Sequence, residues 1–130
     1  MKMSARTKAT AIITACVAAA ATVVTATPSS ASYSPITLHE HTGYRGYSIN
    51  LWSSDSNLWN RSFSDATSSV ENKSAVAWVL YDDSGYSDRR YCIKPGQTIS
   101  NLGADAWKFN DKISSVKELG SASCGTYPTF

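Results

Sequence analysis

The sequence predicts an all-β domain, a β-sandwich built from short strands. Fourteen aromatic residues, together with many Ser, Thr and Val, follow position 31, and residues of these types favour strands. Turn signals rich in Gly, Asp and Pro recur through the same stretch, whereas helical periodicity is weak. An internal repeat of roughly 40 residues further indicates two copies of one four-stranded unit.

The first 31 residues are predicted to be a secretory signal peptide, which leaves residues 32–130 as a single domain of 99 residues. Three basic residues and no acidic one precede an apolar run that closes at Pro28, as in secretory signals. Small residues place the expected cleavage after Ala31, with Ala26 as the alternative. Threonines interrupt the apolar run, so we expect no membrane span after processing.

Removal of this leader changes both the charge and the cysteine count. The chain carries a formal charge of +2, but the leader holds three of the twelve basic residues and none of the ten acidic ones. The mature chain is therefore near −1, which argues against a basic nucleic-acid-binding protein. Two of the three cysteines remain, and in an oxidising extracellular compartment Cys92 and Cys124 are expected to pair. We expect a secreted, extracellular monomer.

The first half of the mature chain contains a predicted hairpin. Apolar and polar residues alternate over 36–41 and again over 47–52, and a turn with two glycines separates the two segments. A polar connection, 53–62, follows, and then a short strand at 68–71.

The second half repeats this arrangement. Turn signals at 82–88 and 94–97 separate its predicted strands. In chain order these strands are 76–81, 90–93, 98–102 and 114–119. Short strands at this spacing predict a sandwich, for which we expect eight strands.

Two segments carry the clearest repeat. Residues 63–70 (FSDATSSV) match 109–116 (FNDKISSV) with the Phe, the Asp, both Ser and the Val identical. The hairpin segment 39–44 matches 81–86 at a slightly different offset, as expected when loops differ in length. We therefore expect the two copies to build equivalent structures.

The repeated Asp and Ser residues suggest two kinds of chemistry. They offer hard oxygen donors, of which Ca²⁺ takes six to eight, and two facing copies could supply enough of them. Alternatively, Asp65 and Asp111 bond to local backbone N–H groups in Asx or Ser turns without any metal. The residue types alone leave both interpretations open.

On these motifs, residues 36–119 resemble the βγ-crystallin family. That family is a sandwich of two Greek-key motifs, each ending in a calcium motif Asn/Asp-Asn/Asp-x-x-Ser/Thr-Ser. Residues 110–115 fit this motif at every position, and residues 64–69 depart from it only at Ser64.

The family hairpin, aromatic-acidic-x-x-x-aromatic-x-Gly, is matched less evenly. His39 stands where the first hairpin should have an aromatic residue, and Asp88 stands where the second should have Gly. The Gly position requires a positive φ, which Asp tolerates better than most residues. The other positions are matched by Glu40, Tyr44 and Gly46 in the first hairpin and by Tyr81, Asp82 and Tyr86 in the second.

The resemblance implies a domain organisation and a pair of Ca²⁺ sites at one end of the sandwich, each built by both motifs. Greek key one would span about 34–74 and Greek key two about 75–121, with a tail at 122–130. Side-chain ligands would be Asp65, Ser68, Asp111 and Ser114, and carbonyl ligands Glu40, Ala66, Asp82 and Lys112, with Ser64 and Asn110 supporting. Because Ser64 supplies a hydroxyl in place of an amide or carboxylate, we expect one site to be weakened.

Three functions fit this resemblance, and a fold does not choose among them. The first is a calcium-binding domain with a structural, stress-related or binding role. The second is a proteinase inhibitor, as in crystallin-like bacterial metalloproteinase inhibitors, with 53–62 and 94–106 as candidate loops. The third is an antimicrobial or killer-toxin-like protein. The expected partners are calcium ions and either an extracellular protease or a cell-surface target.

We do not expect an enzyme. The only histidines are His39 and His41, no Gly-x-Ser-x-Gly motif is present, and no free cysteine remains for nucleophilic catalysis. A His-x-His pair can bind Zn²⁺ or Cu²⁺, but a structural or surface role is expected here. Among the tryptophans, Trp78 is expected in the core and Trp59 in solvent.

Overall fold

A computed structural model describes residues 34–130, which form two antiparallel β-sheets. The predicted signal peptide and both of its cleavage points lie outside the described residues. Within residues 34–130, no helix is long and apolar enough to span a bilayer.

Seven strands make up the two sheets. In chain order they are β1 (Ile36–His41), β2 (Arg45–Leu51), β3 (Ser69–Asn72), β4 (Trp78–Asp83), β5 (Ser87–Ile93), β6 (Thr98–Ile99) and β7 (Ser115–Glu118). The first sheet has the order β2-β1-β3-β6 and the second the order β5-β4-β7. Both predicted hairpins, β1 with β2 and β4 with β5, are present.

The eighth expected strand is reduced to one bridge, between Asp55 and Val116 of β7. Each of these residues donates its N–H to the other's carbonyl over 2.9 Å. The ladder goes no further because the Asp55 carboxylate accepts the Asn57 N–H at 2.9 Å and turns the chain. A 3₁₀ helix, Leu58–Arg61, follows at once, so the predicted polar connection is partly helical.

One hydrophobic cluster joins both sheets. It includes Ile36 and Leu38 of β1, and Trp78 and Leu80 of β4, all fully or almost fully buried. The expectation that Trp78 belongs to the core is confirmed. Burying side chains of this size is the main source of stability for a domain of about this length.

The two repeats are tied together by backbone hydrogen bonds that occur in equivalent pairs. The Gly43 N–H of the first hairpin donates to the Ser100 carbonyl at 2.8 Å, and the Gly85 N–H of the second donates to the Ser56 carbonyl at 2.7 Å. β6, from the second repeat, extends the sheet of the first repeat by pairing with β3. Each hairpin tip is therefore supported by a loop of the other repeat.

The C-terminal tail is fixed along the edge of β5. The predicted disulfide between Cys92 and Cys124 is present, with Cα atoms 5.9 Å apart. The Cys92 N–H donates to the Pro128 carbonyl, and the Phe130 N–H donates back to the Cys92 carbonyl. The tail thus covers the end of β5, at the outer edge of the second sheet, and blocks pairing with another chain there.

Candidate functional site

Ser69 fixes the first hairpin against the start of β3. Its buried hydroxyl donates to the His41 carbonyl at 2.6 Å and accepts the Tyr44 N–H at 3.0 Å. The sequence alone predicts no role for this second serine of the motif. The sequence does contain a signal of its importance, because this serine is repeated at the equivalent position, Ser115, of the second copy.

Ser115 makes the same two bonds in the second repeat. It donates to the Asp83 carbonyl at 2.6 Å and accepts the Tyr86 N–H at 3.1 Å. At the position where the family has Gly, Asp88 has φ 68°, matching the φ of 79° at Gly46. The expectation that Asp88 tolerates the positive φ is confirmed.

Asp65 and Asp111 occupy matching positions between the repeats. Both have left-handed backbone angles, with φ 55° and 53°. The Asp65 N–H donates to the Ile113 carbonyl at 3.1 Å, and the Asp111 N–H donates to the Thr67 carbonyl at 2.9 Å. Each aspartate is therefore positioned by the backbone of the other repeat.

Their carboxylates also face the other repeat. The Ser114 hydroxyl donates to Asp65 Oδ1 at 2.9 Å, and the Ser68 hydroxyl lies 3.4 Å from Asp111 Oδ1. Among residues 34–130, neither carboxylate accepts a local backbone N–H, so the Asx-turn alternative is not the arrangement observed. The predicted side-chain ligands are instead paired across the repeats.

An open polar cavity of about 340 Å³ lies at this end of the molecule. It is lined by Glu40, His41, Asp65, Ala66, Ser68 and Asp111. All of these residues except His41 are predicted calcium ligands. Four of them, Glu40, Ala66, Ser68 and Asp111, are expected to share one ion, and we call them the first cluster. Carboxylate, hydroxyl and carbonyl oxygens of this kind form the donor set that Ca²⁺ prefers.

The equivalent residues of the repeat form the second cluster: Asp82, Lys112, Ser114 and Asp65. The Ser114 hydroxyl is its centre, 2.9 Å from Asp65 Oδ1 and 3.4 Å from the Lys112 carbonyl oxygen. The Ser64 hydroxyl donates to the Ser114 hydroxyl at 3.1 Å. In the other repeat, Asn110 Nδ2 donates to Asp111 Oδ2 at 2.9 Å.

The charge around the second cluster is mixed. Burial raises the pKa of the Asp82 carboxyl, and the positive charges of Arg89 and Lys112 only partly oppose that rise. Carboxylate oxygens of Asp82, Asp83 and Asp88 lie within 4.8 Å of one another. Of these three residues, only Asp82 is a predicted ligand, through its carbonyl, because the grouping of the carboxylates depends on the conformation of the hairpin.

His39 and His41 lie in different surroundings. A register shift in the β1–β2 ladder falls between them. His39 is buried, with Nε2 2.7 Å from Glu71 Oε2, whereas His41 is exposed and lines the cavity. Burial alone would raise the pKa of Glu71, but its bonds to His39 and Lys73 and their charges outweigh burial and lower it. This geometry supports a structural role for His39.

A family model described as Beta/Gamma crystallin matches residues 35–119, most of the described chain. The chain belongs to the beta/gamma crystallin family. A curated relative, "Beta/gamma-crystallin" of Ciona intestinalis, is 36% identical over 84 residues, or 64% of this chain and 95% of the relative. The resemblance identified from the calcium and hairpin motifs is confirmed.

Solved beta/gamma crystallin structures have the same fold. The beta gamma crystallin from Ciona intestinalis superimposes with a TM-score of 0.58 at 32% identity, covering 64% of this chain and 96% of that one. A betagamma-crystallin from an archaeon has a TM-score of 0.57 at 20% identity, covering 66% and 98%. A domain from Clostridium beijerinckii has a TM-score of 0.53 at 23% identity, covering 65% and 95%. The last two likenesses concern the fold alone.

Proposed function

We propose that this chain is a secreted, non-catalytic βγ-crystallin domain that binds two Ca²⁺ ions, one at each cluster. The observation that carries the proposal is the exchange of ligands between repeats. Ser68 faces Asp111 and Ser114 faces Asp65, so each cluster combines a hydroxyl from one repeat with a carboxylate from the other. In the first cluster these groups border an open polar cavity.

We further propose that the domain consists of two Greek-key motifs, about 34–74 and 75–121, followed by the tail 122–130. The paired contacts of Gly43 and Gly85, and those of Ser69 and Ser115, support this division, because each contact recurs at the equivalent position. The symmetry between the two motifs is least complete at the expected eighth strand, where only the bridge between Asp55 and Val116 is formed.

The donors fit a calcium ion well. Every predicted ligand atom is an oxygen, and the carboxylates of Asp65 and Asp111 provide the negative charge that a divalent cation requires. Because ligands of each cluster come from both repeats, a bound ion would hold the repeats together. Ligand that binds only the folded state raises the free energy of unfolding, by about 2.7 kcal/mol at a hundredfold excess over Kd.

We propose that the two sites differ in affinity. Lys112 occupies the position in the second cluster that Ala66 occupies in the first, and its positive charge opposes cation binding. In the second cluster, the Ser64 hydroxyl donates a hydrogen bond to the Ser114 hydroxyl. The Ser64 proton therefore points at a predicted ligand oxygen and competes with a cation for it. The first cluster is therefore the tighter site in this proposal.

Calcium titration by calorimetry, combined with thermal unfolding, tests the proposal. The wild-type protein should bind about two ions, and its Tm should rise by roughly 10 °C or more for each site at a hundredfold excess over that site's Kd. Asp65→Asn and Asp111→Asn should each abolish most of one binding event. Asp105→Asn removes an equal charge at an exposed position outside both clusters and should behave like wild type. No heat and no Tm change at millimolar Ca²⁺ would refute the proposal.

Protease inhibition gains no comparable support. An inhibitory loop must be exposed and extended to enter a protease cleft, but the 53–62 segment contains a 3₁₀ helix whose Leu58 is completely buried. In the 94–106 segment, Leu102 is buried in the core. No structural observation within residues 34–130 favours protease inhibition or antimicrobial action. These functions, and a protease or cell-surface partner, stay predictions.

A further inference from the structure

Trp59 projects from the 3₁₀ helix into solvent. Its side chain is 76% exposed, as expected from the sequence, although it is among the largest apolar groups of the chain. The turn that carries it is well fixed. Asn57 caps its start by accepting the Trp59 N–H at 3.1 Å, and the Ser62 N–H bonds back to its carbonyls at the other end. The neighbouring Leu58 anchors the turn in the core.

A surface cavity of about 290 Å³ lies beside the indole ring. In the part of the chain that the structure describes, it is lined by Trp59, Ser62 and Ser64, none of which is charged. Among residues 34–130, the Ser62 hydroxyl and the Trp59 indole N–H have no hydrogen-bond partner. The Ser64 hydroxyl donates to Ser114 and retains lone pairs that can accept. The cavity therefore combines one aromatic face with several polar groups that are available to a ligand.

The fold does not require these residues at this place. In the second repeat, Lys108 and Asn110 stand at the positions of Ser62 and Ser64, and Lys108 adopts the same left-handed backbone conformation as Ser62. The tryptophan of that segment, Trp107, packs edge-on against Phe130 with ring centroids 5.6 Å apart. The exposed indole and its neutral surroundings thus belong to the first repeat alone.

We propose that this cavity binds a neutral sugar, with one pyranose ring seated on the indole of Trp59. A pyranose has C–H groups on one face, which suit an aromatic surface, and hydroxyls around its rim, which suit the serine hydroxyls. The volume suits one sugar ring, near the lower end of the range for ligand sites. Within residues 34–130, the lining residues offer hydroxyl and indole groups rather than a charged group that would pair with an ionic ligand.

This proposal does not depend on calcium. Ser64 touches the second cluster only through Ser114. Sugar binding measured with and without EDTA therefore separates the two proposals, because loss of calcium binding would leave the Trp59 cavity intact.

Saturation-transfer NMR on residues 32–130 tests sugar binding directly. The probes are the methyl glycosides of glucose, N-acetylglucosamine, mannose and galactose, with affinities then measured by tryptophan fluorescence. At least one probe should show saturation transfer with a millimolar Kd. Trp59→Ala should weaken that binding about tenfold. Trp52→Ala, which removes a half-exposed tryptophan elsewhere, should leave it unchanged.

A second variant removes a hydroxyl without disturbing the backbone. Ser62→Gly fits the φ of 55° at this position and should weaken binding severalfold. The proposal is overturned if none of the four glycosides gives saturation transfer. It is also overturned if Trp59→Ala binds as tightly as wild type, or if Trp52→Ala weakens binding as much as Trp59→Ala does.

Discussion

The Ser114 hydroxyl donates a hydrogen bond to the Asp65 carboxylate over 2.9 Å, although the two residues lie 49 positions apart. In the reverse arrangement, Ser68 of the first repeat faces the carboxylate of Asp111 in the second repeat. Neither repeat can therefore complete its own cluster. A change at either aspartate should affect both repeats, which is why the calcium proposal is best tested with single aspartate variants.

Loss of the Ser69 hydroxyl should destabilise the protein. Ser69→Ala removes a buried hydroxyl and leaves the His41 carbonyl and the Tyr44 N–H without their partner, which costs about 2 kcal/mol of unfolding free energy. Ser115→Ala should have a similar effect in the second repeat. Urea unfolding measures both, with Ser87→Ala as the control because its hydroxyl bond is exposed. A loss no greater than that of the control would mean that these serines do not hold the hairpins.

Removal of the Thr67 hydroxyl should stabilise the protein. Thr67 Oγ1 is buried and has no hydrogen-bond partner in the described part of the chain, residues 34–130. The equivalent residue of the other repeat is Ile113, which is fully buried in the core. Thr67→Val keeps the shape and should raise the unfolding free energy by about 1 kcal/mol.

Thr37→Val is the matched control for this prediction. Its hydroxyl is also buried but donates to Asn50 Oδ1 at 2.7 Å. That variant should lower the unfolding free energy in the same urea experiment, by about 1 kcal/mol. Equal effects of the two substitutions would contradict the assignment of Thr67 as the unsatisfied hydroxyl.

Lys112→Ala should tighten the weaker calcium site. The substitution copies Ala66 of the first repeat and removes a positive charge close enough to Asp82 to affect its pKa. At moderate ionic strength, one such charge changes affinity by a few fold. Calorimetry should show the second binding event strengthened and the first unchanged.

Lys94→Ala, at an exposed position outside both clusters, is the control for Lys112→Ala. Its calcium isotherm should match that of wild type. If both lysine variants gain equally, the effect comes from overall charge rather than from the second cluster.

Local patterns in the sequence predicted the hairpins, the core position of Trp78 and the pairing of Cys92 with Cys124, because alternation and cysteine count need no knowledge of long-range packing. The exchange of β6 into the first sheet could not be predicted, because a two-residue strand has no periodicity of its own. The bonds of Ser69 were also missed, since they depend on the register between β1 and β3. The 3₁₀ helix is signalled in the sequence by Asn57, because Asn is a preferred residue at the position that caps the start of a helix.

Glu71 should make stability depend on pH. Its bonds to His39 and Lys73 lower its pKa in the folded state from the ordinary value of 4.5. A carboxyl with a lowered folded pKa contributes stability that is present above the ordinary pKa and is lost as the pH falls through the folded pKa. Glu71→Gln should therefore destabilise the protein at pH 7 and have a smaller effect near pH 3, as measured by urea unfolding at both values. The exposed Glu40→Gln, tested without calcium, is the control for general charge effects. An equal loss for Glu71→Gln at both pH values would show that the carboxylate's charge contributes nothing and that only its packing matters.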